Sequence, residues 1–229
     1  MHRVPVTLVI LAGLILIPSG GWAILDSGRL ASLCPAQAGR LQTILEAAGR
    51  AGLPMSHLET RINEGLLRRV PCQRLLEAIE KEYSTLVETR TLLASIHDTS
   101  HQALILFANL RSSGLAQSSI ISLIAVYGQT RSMSSAGSAG LFLLSMKELN
   151  WSETQVMPLA ELIATSSWTA GQREAIRQLL LYGASLDIER GQTVSLVRGG
   201  LVSGRSFHQI RRDLLDRKPF RLESGPDRR

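Results

Sequence analysis

The amino-acid sequence predicts an all-α protein built as an array of short antiparallel helices, in about three degenerate three-helix repeats. Three observations predict this fold class: the spacing of the apolar residues, a series of helix-capping signals, and a unit of glycine and capping residues that recurs along the chain. Apolar residues recur at three and four positions and do not alternate, which is typical of helices rather than strands. The composition, 45% hydrophobic and 19% charged, is that of a chain that folds around a core.

Helix starts are marked by the capping box, in which a hydroxyl and a side chain three residues later satisfy free amide hydrogens of the first turn. The four matches are Ser56-x-x-Glu59, Ser152-x-x-Gln155, Thr169-x-x-Gln172 and Ser206-x-x-Gln209. With the apolar spacing they predict helices over residues 35–49, 56–68, 71–94, 100–112, 118–128, 135–148, 152–165, 169–182, 187–202 and 206–217. The stretch from Ile120 to Tyr127 is apolar on nearly all sides, which predicts that the middle of the chain forms the core.

The recurring unit has the same order in each copy: a glycine that ends a helix, a capping residue four positions later, and a second glycine near the end of the next helix. The three sets are Gly52, Ser56 and Gly65; Gly114, Ser118 and Gly128; and Gly183, Asp187 and Gly200. The first and third copies align without gaps at an offset of 135 residues, which pairs Leu75 with Ile210. The first glycine of each set is expected in the left-handed position after a helix. The second is expected to end a helix or to let another helix approach closely.

Residues 1–23 have the three parts of a secretory signal peptide. Arg3 supplies the charge, an uncharged apolar stretch follows, and Gly21-x-Ala23 supplies the small residues of a cleavage site. An uncleaved membrane anchor is the alternative, but a spanning helix needs about 20 apolar residues and this run is shorter. We therefore expect cleavage after Ala23, an exported protein that is periplasmic or secreted, and a helical domain over residues 24–218.

The chain has two cysteines, Cys34 and Cys72. Export to an oxidising compartment favours a disulfide between them. Pro35 and Pro71 fit the first turns of two helices that start at the same end of an antiparallel trio, which brings the cysteines together. Such a bridge stabilises by roughly 3 to 4 kcal/mol in the loop-entropy model.

The net charge of +6 is concentrated near the carboxyl terminus, where residues 205–229 carry eight basic and four acidic groups. A nucleic-acid partner is not expected, because such proteins need a basic stripe over the folded surface and this chain is only 4% aromatic. Residues 219–229 are predicted to be a disordered basic tail. Weak contact with an anionic membrane surface is an alternative role for that tail.

The candidate chemical motif is His97-Asp98-Thr99-Ser100-His101, which has the histidine spacing of a zinc-binding helix. However, Asp98, Thr99 and Ser100 are residues typical of a helix start, which would place His97 before the helix and His101 inside it. Ser138 lies in a glycine-rich run that lacks the spacing of a serine-hydrolase elbow. We therefore assign no catalytic, metal or cofactor-binding residue.

These patterns predict a non-enzymatic helical-repeat protein of the cell envelope that acts as a scaffold or binds a protein partner whose identity the sequence does not reveal. Repeat stacks create binding surfaces without catalytic residues. The alternatives are a periplasmic metal-dependent hydrolase using His97 and His101, or a factor that associates with membrane surfaces through its basic tail. Trp151 and Trp168 flank one predicted helix and are expected to pack onto the core rather than to form a sugar-binding platform.

Overall fold

The computed structural model describes residues 27–166 and 168–217. The predicted signal peptide (1–23) and the predicted disordered tail (219–229) lie outside these residues. The all-α prediction is confirmed, since the described ranges hold eleven helices and no strand. The helices are α1 (Ser27–Leu33), α2 (Ala38–Arg50), α3 (Met55–Leu67), α4 (Cys72–Ala94), α5 (His101–Ser112), α6 (Gln117–Thr130), α7 (Met133–Glu148), α8 (Glu153–Thr165), α9 (Ala170–Ser185), α10 (Arg190–Val202) and α11 (Phe207–Asp216).

The chain divides into two compact units, and the boundary between Glu80 and Lys81 falls inside α4. The first unit contains α1, α2, α3 and the first part of α4. The second contains the remaining helices. Within residues 27–166 and 168–217, no helix combines the length and the hydropathy that a membrane span requires.

In the first unit, α1 packs on α2 and α2 packs on α3 around fully buried leucine and isoleucine side chains. Cys34, between α1 and α2, is joined by a disulfide to Cys72, the first residue of α4, with a Cα–Cα distance of 5.6 Å. This is the pairing that the sequence predicts. Pro71 directly precedes α4 and Pro35 lies in the turn before α2, so each stands just outside the first helical turn expected for it.

Six of the helix connections share one backbone path. In each, a residue in the left-handed region follows the helix, and the next amide donates to the carbonyl five residues earlier, which is a Schellman turn. The residue after that is the N-cap of the following helix. The six left-handed residues are Gly52, Arg69, Gly114, Asn150, Asp187 and Gly204.

This shared turn corrects four sequence-based assignments. Gly52 and Gly114 are left-handed as predicted. The same prediction for Gly183 is wrong, because this glycine lies within α9, and its carbonyl accepts from the Ile188 amide at 3.2 Å. Asp187, predicted as a cap, is instead the left-handed residue, and Glu189 caps α10. Ser56 and Ser118 are not caps either, since the turn starts their helices earlier, after Pro54 and Ala116.

The other three capping boxes, at Ser152, Thr169 and Ser206, are confirmed. In the box that starts α9, the amide of Gln172 donates to the Thr169 hydroxyl at 3.3 Å, and the Thr169 amide donates to the Gln172 side chain at 2.8 Å. Ser100 is the N-cap of α5 and its hydroxyl accepts from Ala103 at 3.4 Å. The helix therefore begins between His97 and His101, as the sequence predicts.

The first and third copies of the predicted repeat share a corner of the same geometry. A Cβ built on Gly65 would lie 2.5 Å from a methyl carbon of Leu75, and one built on Gly200 would lie 2.5 Å from Cγ1 of Ile210. Each glycine thus allows the close helix approach expected of it. In the middle copy, Gly128 instead faces Ile96, an earlier residue, at 2.9 Å. A threefold repeat is therefore not confirmed and stays a prediction.

The second unit is built around α8, which packs against α6, α7 and α10. The apolar stretch of α6 is buried at Ile120, Leu123 and Ile124, but Ile121 remains 47% exposed, so the helix is not enclosed on every side. Beyond α8, the helices α9, α10 and α11 each pack against the other two. This carboxyl-terminal trio sets how α9 and α11 face each other.

Candidate binding groove

A groove of about 680 Å³ lies between α9 and α11. On the α9 side, Ala175, Gln178, Tyr182 and Ser185 form a row at helical spacing. Leu179 and Leu181 of α9 also line the groove, and Phe207, His208 and Arg211 line it from α11. The local sequence explains these orientations, because α9 buries Ile176, Leu179 and Leu180 and α11 buries Ile210 and Leu214. The groove is lined by the other faces of the two helices and by Leu179 at the edge of the buried face.

The side chains of Arg211 and Tyr182 meet across the groove. The guanidinium carbon of Arg211 lies 4.5 Å from the centroid of the Tyr182 ring, a cation–π geometry. Arg211 is exposed, and within the described part of the chain it has no ion-pair partner. Its position is therefore held by the ring, and its hydrogen-bond donors are not taken by a neighbouring carboxylate.

The start of α11 is held by an aromatic contact and a cap. The rings of Phe207 and Trp168 pack edge to face with centroids 6.4 Å apart. Ser206 forms a capping box with Gln209, whose amide donates to the serine hydroxyl at 3.3 Å. These contacts fix the turn of α11 that carries the groove residues His208 and Arg211.

The groove is cationic as well as partly apolar. Its lining contains one arginine and one histidine and no acidic side chain. Next to His208, the Arg212 guanidinium approaches the imidazole Nε2 at 3.3 Å. The nearest acidic group on α9, Glu174, is paired with Arg177 at 2.7 Å, and hydrogen bonds from Arg177 and Gln178 lower its pKa to about 2. The negative charge of Glu174 is therefore compensated by Arg177.

A smaller cavity of about 200 Å³ lies between α7 and α9 and includes Ser138, Arg173 and Arg177. Both arginines are engaged: Arg173 donates to the Trp168 carbonyl at 2.6 Å and Arg177 pairs with Glu174. Ser138 lies inside α7, not on the strained turn that a serine-hydrolase nucleophile requires. This cavity offers no assembled reactive group.

The two histidines of the candidate zinc motif do not share a helix face. His97 is left-handed, with φ of 53°, in the turn that follows α4, and His101 is the first residue of α5. The carboxylate of Asp98 is 8% exposed, accepts from the Ser100 amide at 2.7 Å and pairs with Arg131 at 3.3 Å. Among the described residues, no group of three histidine, cysteine or carboxylate side chains could hold a metal ion.

Asp98 instead belongs to a cluster that ties the end of α4 to the end of α6. Arg131, which pairs with it, also donates to the Ile96 carbonyl at 3.0 Å. Burial raises the pKa of Tyr127, and a hydrogen bond with Asp98 raises it further. The cluster therefore has a structural explanation.

Neither tryptophan at the ends of α8 forms a flat, open platform. Trp151 is 3% exposed and packs in the core, as expected, with the Arg190 guanidinium 5.2 Å from its ring centroid. Trp168 is half-buried and packs against Phe207. This arrangement does not fit stacking on a sugar ring.

Sequence reasoning missed Tyr182 and the role of Arg211. The predicted helix over residues 206–217 contains Arg211, as α11 does, but its charge was counted only as part of the basic excess of residues 205–229. The spacing of Ile210 and Leu214 could have predicted the exposure of Arg211, because these two residues define the buried side of α11 and Arg211 lies on the other side. Which residue of α9 faces it depends on how the two helices cross, and the sequence does not show that.

Comparison with protein-family models, with curated proteins and with solved structures gave no significant match for any part of the chain. The function must therefore be argued from the groove itself.

Proposed function

We propose that the protein is a non-enzymatic interaction module that binds another protein through the groove between α9 and α11. The observation that carries the proposal is the pairing of an apolar lining with a ring-held arginine, Arg211 on Tyr182, whose donors have no carboxylate partner among the described residues. Aromatic and arginine side chains are the residues enriched at protein interfaces. A groove between two helices is also a common place for a partner segment to bind.

Site-specific photo-crosslinking tests this function. A benzoylphenylalanine placed at Gln178, which lines the groove, is expected to cross-link one partner protein in cells that express the chain. The same group at Arg198, an exposed residue of α10 outside the groove, is the control and is expected to give no such product. The variant Ala175→Trp, which fills the groove, should abolish the product. Equal cross-linking from both positions, or none from position 178, contradicts the proposal.

We also propose that the protein reaches an oxidising compartment by export, with cleavage after Ala23. The disulfide between Cys34 and Cys72 supports this location, because such bridges persist where thiols are not kept reduced. Amino-terminal sequencing of the mature protein should begin at Ile24. A chain that retains Met1 in the membrane fraction would instead favour the uncleaved anchor.

A further inference from the structure

We infer that the groove between α9 and α11 binds an acidic amphipathic helix of the partner, with a carboxylate on the guanidinium of Arg211 and an apolar side chain against Tyr182 and Phe207. This inference rests on the proposed function and names the chemistry of the partner.

Charge complementarity selects an acidic segment. Arg211 is the charged residue of the lining, and Arg212 lies beside it on α11, where its guanidinium approaches the Nε2 of His208. A guanidinium stacked on a ring face keeps its edge donors in one plane, where they match the two oxygens of a carboxylate. Because Tyr182 already holds Arg211, little side-chain entropy is lost when the carboxylate arrives.

The shape of the groove selects a helix. The row from Ala175 to Ser185 follows α9 for about 15 Å at 1.5 Å per residue, the length of roughly three helical turns. Two packed helices present their side-chain ridges to a third helix, whose apolar residues at positions i, i+3, i+4 and i+7 fit between them. The apolar side chains beside Arg211 then contact the apolar face of the ligand, and the arginine contacts its acidic edge.

An anionic membrane fits this surface less well. Recognition of anionic lipid uses clusters of about four to eight basic residues. On α11, Asp213 and Asp216 stand among the arginines, and Asp213 pairs with Arg205 at 2.5 Å, so the helix does not present a continuous basic surface. A groove with one cation beside an apolar lining fits a single carboxylate of a protein segment better than it fits the extended negative surface of a membrane.

Binding of designed peptides tests the inference. The probe is a fluorescent helical peptide of about 18 residues made of Glu, Leu and Ala, with the leucines on one face, and its counterpart carries Lys at every Glu. Fluorescence anisotropy should show that the mature protein binds the Glu peptide. Arg211→Glu should weaken this binding at least about tenfold, as expected for one lost charge-assisted pair, and Tyr182→Ala should weaken it as well.

Matched variants and a charge swap exclude indirect effects. Arg198→Glu makes the same charge change at an exposed position outside the groove and should leave affinity within about twofold. Arg211 is also exposed, so its variant should lower the free energy of unfolding by no more than about 1 kcal/mol, the value of one exposed cation–π contact. The Lys peptide should bind Arg211→Glu more tightly than it binds the parent.

Failure of the acidic-helix inference and failure of the proposed interaction function give different results. If the position-178 cross-link forms but neither the Glu peptide nor Arg211→Glu behaves as expected, the acidic-helix inference is overturned and the interaction function stands. If the cross-link itself is absent, the proposed function fails. Binding to vesicles of equal parts phosphatidylserine and phosphatidylcholine that Arg211→Glu abolishes would assign the groove to lipid. A protein dimer that the same variant dissociates would assign it to a second copy of the chain.

Discussion

The carboxylate of Glu153 accepts a 2.6 Å hydrogen bond from the hydroxyl of Ser119, a residue 34 positions earlier in the chain. The same carboxylate accepts from the backbone amide of Ala116 at 2.9 Å and pairs with Lys147 at 2.8 Å. Ala116 is the N-cap of α6 and has no side chain that could cap it. Glu153, at the start of α8, therefore satisfies the free amide of the α6 N-cap residue from another helix, the role that the third helical residue plays in a capping box.

We expect Glu153→Gln to lower the free energy of unfolding by about 1 to 3 kcal/mol, since it removes charge-assisted hydrogen bonds from a side chain that is 10% exposed. Denaturant unfolding near neutral pH measures this loss. The control is Glu148→Gln, an exposed glutamate at the end of α7, which should change stability by no more than about 0.5 kcal/mol. Equal effects from the two variants would show that Glu153 does not cap α6.

The same network makes the contribution of Glu153 dependent on pH. Burial acts to raise the pKa of Glu153, but hydrogen bonds from Lys147, Ser119 and Ala116 outweigh it, and the pKa lies below its ordinary value of 4.5. When the pKa of a carboxyl group is lower in the folded state than in the unfolded state, the group stabilises the fold at any pH above its unfolded-state pKa. This stabilisation is lost as the pH falls through the folded-state pKa. The stability difference between the parent and Glu153→Gln should therefore be constant above about pH 6 and shrink below pH 4.5. A difference that grows on acidification would contradict this cause.

Adjacent glycines on α10 provide a matched test of helix packing. A Cβ at Gly200 would lie 2.5 Å from Ile210, whereas one at Gly199 would meet nothing within 4 Å. We expect Gly200→Ala to cost about 1 to 3 kcal/mol through overpacking. Gly199→Ala should be neutral or stabilise by up to about 1 kcal/mol through helix propensity. Thermal unfolding of the two variants measures the difference, and similar values would refute the close approach of α10 and α11.

Local signals in the sequence were enough to predict most of the helix boundaries. Thr169 and Ser206 cap their helices because each bonds to the amide three residues later, so the interaction is complete within one turn. Gly52 was predictable for the same reason, since left-handed backbone favours glycine wherever the turn occurs. The short helix α1 was missed because seven residues carry too little periodicity to be recognised.

Features that depend on distant residues were not predictable. Ser118 has the composition of a cap, but the turn at Gly114 makes Ala116 the N-cap of α6, and the amide of Ala116 donates to Glu153 of another helix. Asp187 is left-handed because the tight turn between α9 and α10 requires this backbone conformation. The conformational energy that this costs is offset by the burial of the next residue, Ile188. The groove likewise exists only through the crossing of α9 and α11, which no segment of the sequence encodes alone.

Removal of the disulfide should destabilise the first unit. The bridge closes a loop of 38 residues between Cys34 and Cys72, worth about 4 kcal/mol in the loop-entropy model. In the double variant Cys34→Ala and Cys72→Ala, hydrogen exchange should accelerate within residues 27–80. Adding a reductant should reproduce this effect in the parent and change nothing further in the double variant. Unchanged exchange in both experiments would show that the bridge carries no stability.

Our last prediction is that the protein binds no stoichiometric zinc at His97 and His101. The carboxylate between them, Asp98, already accepts from Ser100 and pairs with Arg131, and a metal would have to displace these contacts. After incubation with zinc and desalting, metal analysis should find well under one ion per chain. A ligand that binds only the folded state raises the unfolding temperature. Because we expect no such binding, zinc should leave the unfolding temperature unchanged.

Variants separate this structural role from a metal site. His97→Ala with His101→Ala changes two exposed side chains and should leave the free energy of unfolding within about 0.5 kcal/mol. Asp98→Asn should cost about 1 to 3 kcal/mol with or without zinc, because it removes the charge of a buried carboxylate that pairs with the half-exposed Arg131. The exposed Asp216→Asn is the control for the charge change. Stoichiometric zinc that the double histidine variant removes would instead favour a metal-dependent hydrolase, with Asp98 released from Arg131 to act beside the ion.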